Sequence, residues 1–317
     1  MVLYLSKAFH NSFPSNTRKQ HNLKTKKACL VHAGRVVHKV KWFLCKINLV
    51  GICSNIKTNQ AQGLTNYKII NKTNKQKKAC LVHAGQKGDK MKFGGLQKLT
   101  LLDYPNKMAC TVFTVGCNFR CPFCHNNSLV CSNVDLLTEE QILAFLQKRK
   151  NVLEGVCLTG GEPLLQTDVD QFLAKVKSLG YLVKLDTNGA FPAKLKQLVE
   201  LGLVDYVAMD VKNSPQMYPQ TVGANVDMSA IRQSVEFLKL GTVDYEFRTT
   251  VTGNLHDEQS IEQMGQFLDG AKVVYLQQFV DSGDLIDPTT IGCDEQTLKH
   301  YQTILQKYVK NVQLRGV

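Results

Sequence analysis

Residues 112–126 read VFTVGCNFRCPFCHN and place three cysteines on one short segment behind an apolar run. The cysteines are Cys117, Cys121 and Cys124, in the spacing C-x3-C-x2-C. Three thiolates on one loop match three corners of a [4Fe–4S] cluster, and the fourth iron then has no protein ligand. Cluster proteins that only transfer electrons usually supply four cysteines. The spacing therefore predicts a catalytic cluster with one iron open to a small molecule.

Two other roles for these cysteines remain open from the residues alone. A structural zinc ion takes four ligands. The fourth would be His125 or Cys131, although His125 directly follows Cys124 and is poorly placed to bind the same ion. Disulfides are disfavoured because the chain has 11 cysteines, an odd number, and shows no secretory signal. This cysteine usage favours a reducing, cytoplasmic and anaerobic setting.

The cysteine motif resembles that of the radical S-adenosylmethionine (SAM) enzymes, whose signature is this spacing with an aromatic residue, here Phe123, before the last cysteine. Two further elements add to the resemblance. Residues 160–163, GGEP, resemble an element of that superfamily. Residues 186–189, DTNG, resemble an element of its glycyl-radical-activating branch. Over residues 92–316 the chain is similar to the activating proteins of anaerobic ribonucleoside-triphosphate reductase.

Strand and helix patterns alternate from Met108 onward. Six βα units predict a parallel sheet with right-handed crossovers. Six units are too few for a closed eight-stranded barrel, so we expect an α/β fold with a partial, open (β/α)6 parallel barrel, which the resemblance also implies. The predicted strands cover 109–115, 155–158, 181–185, 204–209, 245–251 and 273–279, and the predicted helices cover 138–150, 168–179, 192–201, 229–240, 257–268 and 294–309.

The GGEP turn has a physical reason for its composition. Gly160 and Gly161 lack a Cβ, so the backbone at this strand end can approach a bound zwitterion closely. The carboxylate of Glu162 could order the turn or reach the ammonium group of SAM. The resemblance implies one [4Fe–4S] cluster on the three cysteines and SAM at the open iron, with the backbone near His125 contacting adenine.

The resemblance also places Asp186 and Asn188 near the methionine and ribose parts of SAM. Arg248 lies on the fifth predicted strand, and a cation that points into a barrel needs a partner. That partner is either the methionine carboxylate of SAM or, as a structural salt bridge, Asp210 or Glu246. Lys212, Gln277 and Gln278 are also expected to face the cavity.

The leading functional hypothesis is an activase. The resemblance implies that a 5′-deoxyadenosyl radical, made by reductive cleavage of SAM, removes hydrogen from a glycine of anaerobic ribonucleotide reductase, with flavodoxin or a similar protein as electron donor. One alternative is activation of another glycyl-radical enzyme such as pyruvate formate-lyase, and a second is radical chemistry on a small molecule. A third, outside enzymes, is an iron–sulfur or zinc scaffold.

The positive charge of the chain is concentrated at its start. The formal net charge is +13, yet residues 1–90 carry 18 basic residues and one acid, whereas residues 91–317 carry 21 basic and 25 acidic residues. Residues 91–317 are thus mildly acidic, so nucleic acid is not expected as a partner. A membrane is not expected either, since the chain has no uncharged apolar run of bilayer length.

Residues 1–90 are expected to be a disordered basic extension to the radical SAM domain at 91–317. They lack hydrophobic periodicity, and the nonapeptide KKACLVHAG occurs at 26–34 and again at 77–85. The Cys29/His32 and Cys80/His83 pairs could in principle meet at a zinc ion. Residues 87–90, KGDK, can be encoded by a ribosome-binding site directly before Met91, so the extension is also compatible with a mis-assigned start.

A chain that begins at Met91 is expected to fold, bind its cluster and cleave SAM as well as the full chain. The reason is that residues 1–90 have little apolar core to offset the entropy of ordering. Thermal unfolding, iron content and 5′-deoxyadenosine yield of the two chains test this. An insoluble or inactive short chain beside an active full chain would contradict it, and native peptides from residues 1–90 would disprove the alternative start.

Overall fold

A computed structural model of the protein describes residues 90–317. The expectations for the basic extension, including the repeated nonapeptide and its Cys/His pairs, fall on residues 1–89, outside the described range. They stay predictions.

Eight strands of the described range form one sheet, and their order in the sheet follows their order in the chain. The first strand is antiparallel to the second, and the second to the eighth run parallel. The strands are β1 Phe93–Thr100, β2 Ala109–Thr114, β3 Gly155–Gly160, β4 Leu182–Thr187, β5 Tyr206–Asp210, β6 Asp244–Val251, β7 Val274–Gln278 and β8 Val312–Arg315. The predicted open, partial parallel barrel is confirmed.

Helices connect the parallel strands, and the six predicted helices are all present. The predicted start at Thr138 is a capping box, in which the Thr138 hydroxyl accepts from the Gln141 amide. Within residues 90–317, no helix combines the length and the apolar character that a bilayer crossing requires. The helices are α1 Asn127–Val130, α2 Glu139–Arg149, α3 Val169–Ser178, α4 Pro192–Glu200, α5 Tyr218–Val222, α6 Met228–Lys239, α7 Glu258–Phe267 and α8 Glu295–Leu305.

Two strands and one helix end differ from the sequence-based expectation. β1 contains two glycines and no alternation of apolar and polar residues, and its pairing with β2 is interrupted by two register shifts. β8 has only 4 residues, too few to show a period. α8 ends at Leu305 rather than at residue 309, which leaves room for the turn into β8.

The two faces of β4 show how the strands separate apolar from polar side chains. Val183 and Leu185 are fully buried in the apolar core beneath the helices, together with Phe172 of α3. Lys184 and Asp186 alternate with them and therefore point to the opposite face. The inward face of the barrel is thus polar at this strand, whereas the outer face is the hydrophobic core.

The floor of the barrel is filled by an aromatic side chain from the β1–β2 connection. Tyr104 is buried, and its ring lies against Gly155 at the start of β3, where an added Cβ would come within 2.8 Å of it. The ring is 6.0 Å from that of Tyr206 at the start of β5. The polar motifs follow the opposite ends of the strands, which are the ends that carry the chemistry in parallel barrels.

Candidate active site

The cysteine loop, residues 115–126, follows β2 and is held by backbone hydrogen bonds to surrounding elements. The Arg120 guanidinium adds two bonds of 2.7 Å, to the carbonyls of Cys117 and Phe119. None of these contacts uses a thiol, although within the loop the Phe119 amide donates to Cys117 Sγ at 3.4 Å. The backbone bonds run from Gly116 N to Leu129 O (3.0 Å), from Arg120 N to Val222 O (2.8 Å) and from Asp287 N to Pro122 O (3.0 Å).

The GGEP turn after β3 packs directly onto the start of the cysteine loop. Gly161 N donates to Thr114 O at 2.9 Å, and Glu162 N donates to Gly116 O at 2.8 Å. A Cβ on Gly161 would lie 1.9 Å from Gly116 O, and Gly160 has a φ of 112°. The two glycines are therefore required by the close approach of two backbone segments.

Glu162 joins the GGEP turn to the DTNG turn. Its side chain is buried, and its oxygens accept from Thr187 Oγ1 at 2.8 Å, Asn188 N at 2.7 Å and Leu164 N at 3.0 Å. Burial raises the pKa of Glu162 to about 7, although these hydrogen bonds oppose the shift. Of the two roles expected for this carboxylate, ordering of the turn is the one made by these contacts. Contact with the SAM ammonium stays a prediction.

Asn188 brings the DTNG turn to the cysteine loop. Its Nδ2 donates to Asn118 Oδ1 at 2.8 Å and lies 3.9 Å from Cys117 Sγ. Its Oδ1 accepts from the Ala190 amide at 3.0 Å. The three predicted motifs therefore meet at one end of the barrel, although they are far apart in the chain.

Cys121 is buried, Cys117 and Cys124 are half-buried, and the three thiols are close enough to influence one another. Burial raises the pKa of Cys117 to about 12 and that of Cys121 to about 11, and it also raises the pKa of Cys124. Iron supplies the positive charge that makes thiolates favourable in such surroundings. Within residues 90–317, no group of three or more His, Cys, Asp or Glu side chains is arranged to hold a metal ion. The three thiols of one loop have the chemistry to ligate iron, and their assignment as cluster ligands stays a prediction.

His125 and Phe279 form an aromatic pair beside the cysteine loop. Their ring centroids are 5.6 Å apart, and the buried His125 Nε2 has no hydrogen-bond partner in the structure. Burial lowers the pKa of His125, so the ring is neutral. The adenine contact that the resemblance implies for the backbone near His125 stays a prediction. Phe123 is also buried, and the Lys212 ammonium lies 5.9 Å from its ring centroid.

Five side chains form a line of alternating charge across β4, β5 and β6, here called the charged ladder. Its members are, in order, Lys184, Asp186, Arg248, Asp210 and Lys212. Lys184 pairs with Asp186 Oδ1, and Arg248 Nη1 lies 3.1 Å from Asp186 Oδ2. Arg248 Nε lies 2.9 Å from Asp210 Oδ1, and Lys212 Nζ lies 3.1 Å from Asp210 Oδ2. The ladder runs from the barrel interior to the cysteine loop.

All members of the charged ladder are ionised at neutral pH. Burial alone would raise the pKa of Asp210, but the charges of Arg248 and Lys212 outweigh it and lower the pKa to about 2. The pKa of Asp186 is lowered in the same way by Arg248 and Lys184. The ladder therefore contains three positive charges and two negative ones.

Arg248 thus has a salt bridge to Asp210, one of its two predicted structural partners. Glu246, the other, is bound instead by Arg315 at 2.8 and 2.9 Å. Arg248 is buried, at 7% exposure, and it holds two carboxylates. Among the residues expected to face the cavity, Lys212 is in the ladder, and Gln278 donates to Cys293 O at 3.3 Å.

The sequence reasoning missed two residues that support this site. Lys184 carries a recognisable signal, because a lysine two residues before Asp186 in an apolar strand must share its face. His256 carries no such signal. Its Nε2 lies 3.0 Å from Lys212 O, and its Nδ1 lies 3.2 Å from Thr252 N. His256 thereby fixes the backbone that positions Lys212.

Comparison with known proteins agrees with this geometry. A family model of the radical SAM superfamily matches residues 111–269, which include all three motifs. A Methanocaldococcus jannaschii protein designated a candidate glycyl-radical enzyme activating enzyme is 31% identical over 233 residues, which are 70% of this chain and 95% of the relative. A second protein of that organism with the same designation is 25% identical over 225 residues, 69% of this chain and 85% of its own.

A solved structure shows a similar fold. Streptococcus suis SuiB bound to S-adenosylmethionine superposes with a TM-score of 0.50 at 15% identity, covering 64% of this chain and 48% of SuiB. At this identity the likeness concerns the fold.

Proposed function

Since this chain belongs to the radical SAM superfamily, we propose that it is an activase that generates a glycyl radical on a partner enzyme. The observation that carries the proposal is the extent of the match to the first Methanocaldococcus jannaschii relative, which covers nearly all of that protein. The site geometry supports it, because the three motifs meet at the open end of the barrel.

The superfamily uses a [4Fe–4S] cluster and SAM, which together supply a 5′-deoxyadenosyl radical when they are bound and reduced. Cys117, Cys121 and Cys124 would hold three irons of that cluster. The GGEP and DTNG turns fix the loop that carries these cysteines. The charged ladder presents a buried guanidinium and two carboxylates to the same end, which suits the carboxylate and ammonium of an amino acid.

A protein loop is the substrate class that suits the shape of the barrel. The floor is filled by Tyr104, so a substrate reaches the cysteine loop from the opposite end. In the described part of the chain β1 and β8 do not pair with each other, so the wall of the barrel is open on one side. Anaerobic ribonucleoside-triphosphate reductase is the proposed partner, and flavodoxin or a similar protein the proposed electron donor.

Transfer of the radical to a partner tests the proposal. The reduced protein, incubated anaerobically with SAM and purified anaerobic ribonucleotide reductase from the same genome, should give the electron paramagnetic resonance doublet of a glycyl radical. The Cys117→Ala variant serves as the control and should give no doublet.

The same experiment with other glycyl-radical enzymes as substrates distinguishes the alternative functions. A doublet on pyruvate formate-lyase instead of the reductase would replace the proposed partner and keep the activase. Cleavage of SAM with no radical on any glycyl-radical enzyme of that genome would overturn the activase.

A further inference from the structure

Lys184 is a buried lysine that the chemistry described so far does not use. Its residue is 1% exposed, and it is among the largest fully buried side chains of the described range. Lysine is almost never fully buried unless it is paired. Here the ammonium pairs with Asp186 Oδ1 and lies 3.9 Å from Cys157 Sγ, deeper in the barrel than the rest of the charged ladder.

The presence of Lys184 determines the net charge of the ladder. With Lys184 there is one cation more than there are carboxylates, and without it the remaining two cations and two carboxylates cancel. The neighbouring Glu246 is neutralised by a two-point pair with Arg315. Within the five residues of the ladder, the excess positive charge therefore depends on Lys184.

Asp186 is shared between two cations, one on each oxygen. Lys184 takes Oδ1, and Arg248 takes Oδ2 at 3.1 Å. Burial alone would lower the pKa of Lys184, but the charge of Asp186 outweighs it and raises the pKa, so the ammonium stays charged. The part of the Asp186 charge that Lys184 neutralises is no longer available to neutralise Arg248.

We propose that Lys184 is a positioning residue for cofactor binding, which keeps Arg248 incompletely neutralised so that it attracts the carboxylate of SAM. The proposal rests on the SAM-binding role of Arg248 within the proposed function. Lys184 acts through Asp186 and Arg248, and its effect is electrostatic. We therefore expect Lys184 to strengthen the interaction of the protein with the carboxylate of SAM, and not its interaction with the adenosine or the sulfonium.

Two ligands that differ only in the carboxylate test this. Titration calorimetry on the cluster-loaded, unreduced protein compares SAM with decarboxylated SAM. Lys184→Met should weaken binding of SAM about tenfold, because Asp186 then neutralises Arg248 more completely in a medium of low dielectric. Binding of decarboxylated SAM should be unchanged or stronger.

Two further variants control for misfolding. The double change Lys184→Met with Asp186→Asn removes one charge of each sign, so the excess positive charge returns and the preference for SAM over decarboxylated SAM should recover. Lys177→Met removes a lysine that pairs with Asp205 on the outside of the barrel and should leave both affinities unchanged.

Equal weakening of both ligands by Lys184→Met, with no recovery of the preference in the double variant, would show that Lys184 only supports the fold. An unchanged preference in Lys184→Met would also overturn the proposal. Neither result bears on radical transfer to a partner enzyme, which is measured separately on the wild-type protein.

Discussion

Replacement of Cys117, Cys121 or Cys124 by alanine, one at a time, is expected to abolish both cluster binding and reductive cleavage of SAM. With three ligands on one loop, the loss of any thiolate leaves two irons without a protein ligand. Burial raises the pKa values of the thiols, so without iron the remaining pair favours the protonated form, although Lys212 opposes this shift at Cys121. Iron and sulfide content measure the first property, and the yield of 5′-deoxyadenosine after reduction measures the second.

Cysteines elsewhere in the chain supply matched controls. Cys293 is a half-buried free thiol before α8, and Cys293→Ala should keep both cluster and cleavage. Cys131, the nearest cysteine after the loop, should also be dispensable for the cluster. Loss of the cluster in Cys131→Ala, or its retention in Cys121→Ala, would show that the three-ligand assignment is wrong.

Replacement of Arg248 by alanine is expected to weaken SAM binding at least about tenfold and to destabilise the protein by about 3–5 kcal/mol. The first effect follows from the loss of the guanidinium proposed to meet the SAM carboxylate. The second follows because Asp186 and Asp210 lose a shared partner and remain buried. Calorimetric titration with SAM and thermal unfolding measure the two effects, and the cluster should still be bound.

The pH dependence of the Arg248→Ala defect identifies its cause. In the wild type the pKa of Asp210 is lowered to about 2, so its contribution to stability is complete above the unfolded value of about 3.9 and is lost as the pH falls through 2. The difference in stability between wild type and variant should therefore shrink on acidification. Arg248→Lys keeps the charge but cannot reach both carboxylates, so its defect should be intermediate. A pH-independent difference would contradict this account.

The sequence predicts the six βα units because each strand is a short apolar run and each helix has a start or stop signal. Thr138 and the glycines that follow the helices are examples, and the structure has helices and strands at all six positions. β1 escapes prediction because its residues carry no period, and it becomes a strand through its pairing with β2. The local sequence pattern is therefore enough to predict the six βα units, but it does not predict the two edge strands, β1 and β8.

The sequence predicts the site residues that belong to a contiguous motif. It does not predict the ion pairs between side chains on different strands. The cysteines, GGEP and DTNG are contiguous in the chain. Arg248, by contrast, is 62 residues from Asp186 and 38 from Asp210, and only the strand register brings them together. Lys184, by contrast, pairs with Asp186 two residues along the same strand, so its place at the end of the charged ladder could have been predicted.

The anchoring of the cysteine loop by backbone hydrogen bonds has a consequence for recovery of the protein after exposure to air. The bonds that Glu162, Arg120 and Asp287 make with the surrounding backbone involve no sulfur atom, so we expect the loop to keep its shape when air destroys the cluster. The cluster-free protein would then still have the loop in its binding conformation. Iron and sulfide supplied to the air-exposed, folded protein should therefore restore the cluster without a refolding step.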